Sequence, residues 1–102
     1  MTTLTKNNKN FSLTFHSVER LEERFQLSIE KIQDSFQRSK MLNTQNSMKY
    51  GKAYVKRVFQ KSIHEPNQSL LVNPYYDMTF VIDNTNNTII TIYSYSKGNE
   101  LF

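Results

Sequence analysis

Hydrophobic residues change their spacing near residue 16, and this change separates two kinds of predicted structure. Phe11, Leu13 and Phe15 alternate with polar residues, a period of two that is typical of a short strand or an extended lead-in segment. Beyond them, apolar residues follow at spacings of 3, 4, 4, 3 and 4, which places them on one face of a helix. These residues are Val18, Leu21, Phe25, Ile29, Ile32 and Phe36. The pattern predicts one amphipathic helix, or two helices with a break near Gln26 or Leu27.

Polar residues outside this pattern predict where helices begin and where regular structure is missing. Ser17 is positioned to cap the first helix and Ser28 a second one, because a serine hydroxyl accepts hydrogen bonds from the free N–H groups of a helix start. Residues 1–10 contain Leu4 as the one aliphatic side chain after the initiator, so we expect a mobile N-terminal arm there. Residues 39–48 are polar and predict a loop.

The C-terminal half is rich in β-branched and aromatic residues and predicts an antiparallel sheet. The predicted strands are residues 50–60, 70–72, 76–83 and 88–95. The last two flank residues 84–87, which are rich in asparagine, and asparagine tolerates the positive φ that hairpin loops require. Helices followed by strands indicate the α+β class, with one or two N-terminal helices packed on an antiparallel sheet of four or five strands. We expect residues 11–102 to form this single domain.

The composition excludes several classes of site. The 102 residues include no cysteine, which excludes a disulfide scaffold, a thiolate nucleophile and a cysteine-based metal site. No apolar run approaches the about 18 residues of a membrane span, and no apolar signal segment follows Met1. We therefore expect a cytoplasmic protein with no membrane partner. The two histidines and scattered carboxylates lack the spacing of metal ligands, so we expect no metal and no other cofactor.

The formal net charge is +4, and residues 41–65 contribute most of the excess, with five basic residues and one acidic residue. On a strand, Lys52, Tyr54 and Lys56 share one face, whereas Arg57 lies on the more apolar face. A basic face with an aromatic ring is typical of a surface that binds single-stranded RNA. The alternative is an edge strand that lysines protect from aggregation. The candidate RNA-binding residues are Lys49, Lys52, Lys56, Arg57, Tyr54 and Tyr93.

His16, Arg20 and Arg24 follow one another at intervals of four residues and form a row on the predicted helix, here called the His16 ridge. Arg24 has no acidic residue three or four positions away, and His16 has Arg20 four positions on. Like charges in a row repel, so the arrangement predicts an anionic partner. The alternative is a solvated helix face, which the spacing of Arg20 and Glu23 favours.

The His16 ridge contains the groups that RNA cleavage without a metal requires. An imidazole exchanges protons near neutral pH, so it can assist attack of the ribose 2′-OH on the phosphate. Guanidinium groups are permanently charged and stabilise the charge that develops on the phosphate oxygens. The second histidine, His64, lies beside Glu65 in a predicted turn. It is interpreted as a surface residue, with a second acid–base group as the alternative.

Residues 14–25 and 27–32 resemble the opening of the small DUF4258-type domains, in which an H-x3-R-x3-R helix is followed by I-S and a second amphipathic helix. Residues 78–83 and 89–93 resemble the closing hairpin of that family. The family is grouped with the barnase/EndoU/colicin/RelE-like metal-independent ribonucleases, whose helices pack on a four- or five-stranded antiparallel sheet. The resemblance spans about residues 11–96, although the glycine usual between the helices is absent and residues 41–73 have no counterpart.

The resemblance implies that His16, Arg20 and Arg24 form the helix ridge of the family and that Thr91 supplies its last-strand hydroxyl. We therefore expect a metal-independent endoribonuclease, toxin-like or phage-encoded, that cleaves single-stranded RNA by 2′-OH attack. The expected partners are RNA and an antitoxin or inhibitor protein. The alternatives are a non-catalytic RNA-binding module on the same fold, or a protein-interaction factor that inhibits a host enzyme.

Overall fold

A helical layer and a six-stranded sheet make up the part of the chain that the computed structural model describes, which is residues 3–42, 47–52, 56, 60 and 63–94. The fold belongs to the predicted α+β class. The strands are β1 (Thr3–Lys6), β2 (Lys9–Leu13), β3 (Lys40–Met41), β4 (Gln68–Asn73), β5 (Met78–Asp83) and β6 (Thr88–Ser94). The helices are α1 (Phe15–Arg20), a π-helical turn (Leu21–Phe25), α2 (Ile29–Arg38) and a 3-10 helix (Ser47–Tyr50). Within the described ranges, no helix has the length and apolar character needed to cross a membrane.

The sheet is mixed and larger than predicted. Its strand order is β1-β2-β6-β5-β4-β3, and β2 runs parallel to β6 while the other neighbours are antiparallel. The expectation of four or five antiparallel strands was therefore wrong in number and direction. The parallel pair joins strands that are far apart in the chain. The two helices and strands β3, β4 and β5 all lie between β2 and β6 in the sequence. Strands β4, β5 and β6 confirm the last three of the four predicted C-terminal strands and the hairpin between the last two.

The N-terminal arm that was expected over residues 1–10 is a β-hairpin where the structure describes it. Lys6 pairs with Lys9, and the two residues between them, Asn7 and Asn8, have φ values of 53° and 65°. Two positive φ values in a two-residue loop match the strand twist of a tight hairpin. Leu4 is fully buried, so this hairpin belongs to the folded core. The prediction of an arm was wrong for residues 3–10.

The helical segment is the second of the two alternatives, two helices with a break near Gln26. Gln26 has a left-handed φ of 45°, and its N–H donates to the Leu21 carbonyl five residues back at 3.3 Å, which closes the π-helical turn. Ser28 caps α2 as predicted, because its Oγ accepts from the Lys31 N–H at 3.3 Å. The cap of α1 is Thr14 rather than Ser17, since the Thr14 Oγ1 accepts from the Ser17 N–H at 3.1 Å.

The main core lies between the helices and one face of the sheet. Phe36 of α2 packs edge-on against Phe11 at 5.2 Å and against Phe80 at 5.0 Å between ring centroids. The sheet curls around α2, and the edge strand β1 is hydrogen-bonded to that helix. The Gln33 side-chain amide accepts from the Thr5 N–H at 2.9 Å and donates to the Thr5 carbonyl at 2.7 Å. These bonds satisfy backbone groups that an edge strand otherwise exposes.

A smaller apolar cluster, here called the Leu42 cluster, covers the other face of the sheet. It contains Leu42, Leu70, Val72 and Val81, with Tyr50, Ile90 and Tyr93 packed against it. A bulge in β6 sets its register, because Val81 pairs with Thr91 while Ile82 pairs with Ile89. Directly paired residues lie on the same face, so the side chain of Thr91 belongs to the face of this cluster.

Residues 50–60 are not the predicted strand where the structure describes them. Tyr50 ends the 3-10 helix, and Lys52, Lys56 and Gln60 have α-helical conformation. Residues at intervals of four share one face on a strand and also lie near one another on a helix face. The spacing of the basic residues therefore did not distinguish a strand from a helix. The predicted loop of residues 39–48 also contains a short strand, since β3 pairs with β4.

Candidate functional site

The start of α1 is fastened to strand β6, and this attachment positions the His16 ridge. The Thr14 Oγ1 donates to the Ile90 carbonyl at 2.8 Å, and the Thr14 N–H donates to the Ile89 carbonyl at 3.2 Å. Ser17 is fully buried, and its Oγ donates to the Thr14 carbonyl at 2.8 Å. The first turn of α1 is therefore held by hydrogen bonds on its inner side, while its outer side faces solvent.

Two members of the His16 ridge contact each other directly. The Arg20 Nε donates to the His16 Nε2 at 3.3 Å, with His16 exposed and Arg20 half-buried. In this contact the Nε2 atom is the acceptor. The ridge thus pairs the lone pair of an imidazole with a fixed positive charge. Arg24 belongs to the π-helical turn, and its side chain lies outside the described part of the structure.

Phe15, which precedes His16 in the chain, is an exposed aromatic residue that the sequence pattern did not identify. Its side chain is 81% exposed at the first position of α1, next to His16. The spacing does not predict this exposure, because Phe15 lies three residues before Val18 and so continues the apolar side of the helix. Its exposure adds an aromatic surface at the start of α1.

Thr91 does not share the exposed surface of the ridge. The residue is 7% exposed, it faces the Leu42 cluster, and its Oγ1 has no hydrogen-bond partner among the described residues. Tyr93 is half-buried against the same cluster. The tertiary structure thus separates Thr91 and Tyr93 from His16 and Arg20, because alternate residues of β6 point to opposite faces of the sheet.

Among the described residues of the predicted basic surface, Lys52 and Lys56 have α-helical conformation. Lys49, Lys52 and Lys56 are exposed, and Lys52 begins a row of exposed residues at intervals of four that continues through Gln60 and His64. Tyr54 and Arg57 lie outside the described residues. Tyr50 packs on the Leu42 cluster, whereas Val18 of α1 packs on the main core. The basic row therefore begins on the other side of the sheet from the ridge.

A second polar cluster, here called the Asp34 groove, was not predicted. The Asp34 Oδ1 accepts from the Arg38 Nε at 2.9 Å, and its Oδ2 accepts from the Tyr76 hydroxyl at 2.9 Å. The bond from Tyr76, followed by the bond from Arg38, lowers the pKa of Asp34, and the same bond to Asp34 raises the pKa of Tyr76. The spacing of Asp34 and Arg38 is visible in the sequence, but Tyr76 is 42 residues away and only the fold brings it there.

In the described part of the chain, no group of three or more histidine or carboxylate side chains is placed to hold a metal ion. Comparisons with protein-family models, with curated proteins and with solved structures find no match for this chain. The resemblance to the DUF4258-type domains therefore stays a prediction.

Proposed function

We propose that this protein is a metal-independent endoribonuclease that acts on single-stranded RNA at the His16 ridge. The observation that carries the proposal is the hydrogen bond of 3.3 Å from the Arg20 Nε to the His16 Nε2 on an exposed helix start. An imidazole that exchanges protons and a permanent cation in direct contact could both act on one phosphodiester, which supports the proposal. The resemblance to the barnase/EndoU/colicin/RelE-like ribonucleases, toxin-like or phage-encoded, supports the same assignment.

The contact between the two side chains suggests how RNA would activate the site. Without RNA, the Arg20 N–H occupies the lone pair of the His16 Nε2. A phosphate oxygen is a stronger acceptor for a guanidinium than a neutral imidazole, so bound RNA would draw Arg20 away. The freed Nε2 then takes the proton of the 2′-OH as O2′ attacks phosphorus. The O2′–P bond forms, the P–O5′ bond breaks, and the leaving 5′-oxygen takes a proton from water, which leaves a 2′,3′-cyclic phosphate.

Other exposed residues would contribute to binding rather than to the reaction. The exposed ring of Phe15 offers a face on which an unpaired base can stack. The exposed Lys49, Lys52 and Lys56 raise the rate of RNA encounter through long-range attraction. An active ribonuclease in a cell also requires restraint, for which an antitoxin or inhibitor protein is the proposed second partner.

A non-catalytic RNA-binding module is the second candidate function. The observation in its favour is the burial of Thr91, which removes the last-strand hydroxyl from the ridge. The described side chains of the ridge then contain one proton-exchanging group, His16. Binding needs the cation and the aromatic face alone, so it requires less of this surface than cleavage does.

A cleavage assay on a mixed-sequence RNA in the presence of EDTA tests both candidates. It compares the wild type with His16→Gln and Arg20→Gln, and uses Lys31→Gln on α2 as the control that removes one exposed cation away from the ridge. Products ending in a cyclic phosphate that disappear in both ridge variants would support the ribonuclease. RNA that is bound but intact would support the binding module. RNA that is neither cut nor bound would contradict both and favour the inhibitor of a host enzyme.

A further inference from the structure

The Asp34 groove is an open depression of about 430 Å³ between the C-terminal half of α2 and the loop that joins β4 to β5. None of its lining residues is assigned to RNA cleavage. Its lining residues are Asp34, Arg38, Asn73, Tyr75 and Tyr76.

Asn73 holds the loop side of this groove in one shape. Its Oδ1 accepts from the N–H groups of Tyr75 at 3.1 Å and of Tyr76 at 3.4 Å. Its Nδ2 donates to the Ser35 carbonyl of α2 at 3.0 Å. Asn73 is buried, so these bonds join the loop to the helix from the inside. The groove is therefore formed before any ligand binds, which lowers the ordering cost of binding.

The two charged groups of the groove, Asp34 and Arg38, differ in how many of their hydrogen-bonding atoms have a partner within the protein. Each carboxylate oxygen of Asp34 accepts one hydrogen bond, from Arg38 and from Tyr76. Arg38 uses its Nε for Asp34, while its two terminal NH2 groups have no acceptor among the described residues. A guanidinium oriented by a carboxylate in this way keeps donors free for a planar or tetrahedral anion.

Tyr75 adds an aromatic surface to the free donors. Its side chain is 89% exposed, and its ring stands edge-on to that of Tyr76, with centroids 5.1 Å apart and an interplanar angle of 81°. This contact and the Asn73 bond restrain the position of Tyr75 while most of its surface stays in solvent. Exposed aromatic faces beside a basic group are the common stacking platforms for nucleobases.

A ligand that complements the groove has a flat aromatic part for Tyr75 and an anionic part for Arg38. We propose that the Asp34 groove binds a nucleotide, with the base stacked on Tyr75 and the phosphate hydrogen-bonded to the terminal NH2 groups of Arg38. A cationic ligand fits less well, because Asp34 already has Arg38 as its counter-ion. The nucleotide is either free or one unit of an RNA chain, and the shared chemistry of base and phosphate serves for both.

Direct binding measurements test the groove without reference to cleavage. The probes are AMP, adenosine, ribose 5-phosphate and an adenosine hexanucleotide, titrated into the whole isotope-labelled chain and followed by nuclear magnetic resonance. We expect AMP to bind more tightly than adenosine or ribose 5-phosphate. Tyr75→Ala is expected to weaken AMP binding about tenfold through loss of stacking. Arg38→Gln is expected to remove the preference for AMP over adenosine, while Lys31→Gln on the same helix leaves binding unchanged.

Each outcome of these titrations supports or overturns the proposal that the Asp34 groove binds a nucleotide. Ribose 5-phosphate binding as tightly as AMP would overturn the stacking role of Tyr75. Unchanged AMP affinity in both groove variants, with folding verified by circular dichroism, would overturn the site, as would absence of binding by all four probes. Tighter binding of the hexanucleotide through Tyr75 and Arg38 would identify RNA as the source of the nucleotide, and equal or weaker binding would identify a free nucleotide. AMP binding by a chain that cuts no RNA would uphold the groove and reject the proposed ribonuclease separately.

Discussion

The His16 ridge and the Asp34 groove are both polar sites on the helical segment, but the fold holds them in different ways. The ridge has one described side-chain contact, of 3.3 Å, between residues four positions apart on one helix. The groove joins α2 to the loop between β4 and β5 through Asp34–Tyr76 and Ser35–Asn73, which are separated by 42 and 38 residues. The ridge is thus local and exposed, whereas the groove depends on tertiary structure.

This difference matches what the two sites are proposed to do. A proton-exchanging imidazole must release its hydrogen bond when substrate arrives, so one weak contact within a helix suits it. A recognition groove must keep its shape, so several bonds to buried groups suit it. Substitutions in the ridge should consequently change activity without changing stability, and substitutions in the groove framework should change stability.

The largest expected effect is that of His16→Gln on RNA cleavage. Loss of the proton acceptor should lower the cleavage rate by at least about 100-fold. The free energy of unfolding should change by less than about 0.5 kcal/mol, because His16 is exposed and its bond lies within one helix. A cleavage assay and a urea unfolding curve measure the two quantities. A variant that loses stability together with activity would contradict the contrast between ridge and groove.

Asn73→Ala is expected to give the largest loss of stability among these variants, about 2 kcal/mol. The change removes three hydrogen bonds of a buried amide and leaves the Ser35 carbonyl and two N–H groups without that partner. The matched control is Asn84→Ala, since Asn84 is exposed and its amide donates one side-chain bond, to Ser69 at 2.7 Å. Equal losses in the two variants, measured by urea unfolding, would show that Asn73 does not organise the groove.

Thr91→Val is expected to stabilise the protein by about 1 kcal/mol, because it replaces a buried hydroxyl that has no partner among the described residues. RNA cleavage should stay at the wild-type rate, since Thr91 lies apart from the ridge. Thr88→Val is the control, because the Thr88 hydroxyl donates to the Asn86 carbonyl at 3.1 Å and its loss should not stabilise. A folded Thr91→Val variant that no longer cleaves RNA would show that Thr91 belongs to the cleavage site after all.

The smallest effect concerns the pH dependence of stability through Asp34 and Tyr76. Asp34 has a lowered pKa, so its contribution is present at neutral pH and is lost as the pH falls below about 4, through the pKa of the folded state. Tyr76 has a raised pKa, so its contribution is present at neutral pH and is lost as the pH rises above about 10. Tyr76→Phe should flatten both limbs of a plot of melting temperature against pH. Identical limbs in variant and wild type would show that this bond adds no stability.

The two hairpins show which parts of the fold were open to prediction. The β5–β6 hairpin was predicted because long apolar runs flank an asparagine-rich loop. The β1–β2 hairpin carries a similar loop signal in Asn7–Asn8, but its short strands hold few apolar residues and were interpreted as an arm. That hairpin is held by contacts with distant groups, among them Gln33 and the carbonyls of Gln37 and Ser39, to which the Lys6 Nζ donates at 2.8 and 2.6 Å.

The candidate sites likewise contain some contacts that follow from sequence spacing and others that only the fold creates. The contact of His16 with Arg20 follows from a spacing of four residues, and so does the ion pair of Asp34 with Arg38. Neither the burial of Thr91 nor the arrival of Tyr76 beside Asp34 follows from any spacing. The first depends on how β5 and β6 pair, and the second depends on the packing of the loop between β4 and β5 against α2.

By itself, the sequence determined the features that neighbouring residues control: the α+β class, the Ser28 cap and the closing hairpin. Hydrogen bonds and side-chain periodicity within a few residues are sufficient for these. The sequence left open whether the helical segment breaks near Gln26. The tertiary structure alone decided the parallel pairing of β2 with β6, the docking of the N-terminal hairpin on α2, and the assembly of the Asp34 groove. These arrangements rest on contacts between residues far apart in the chain, where packing of the whole core selects one partner among many that are locally equivalent.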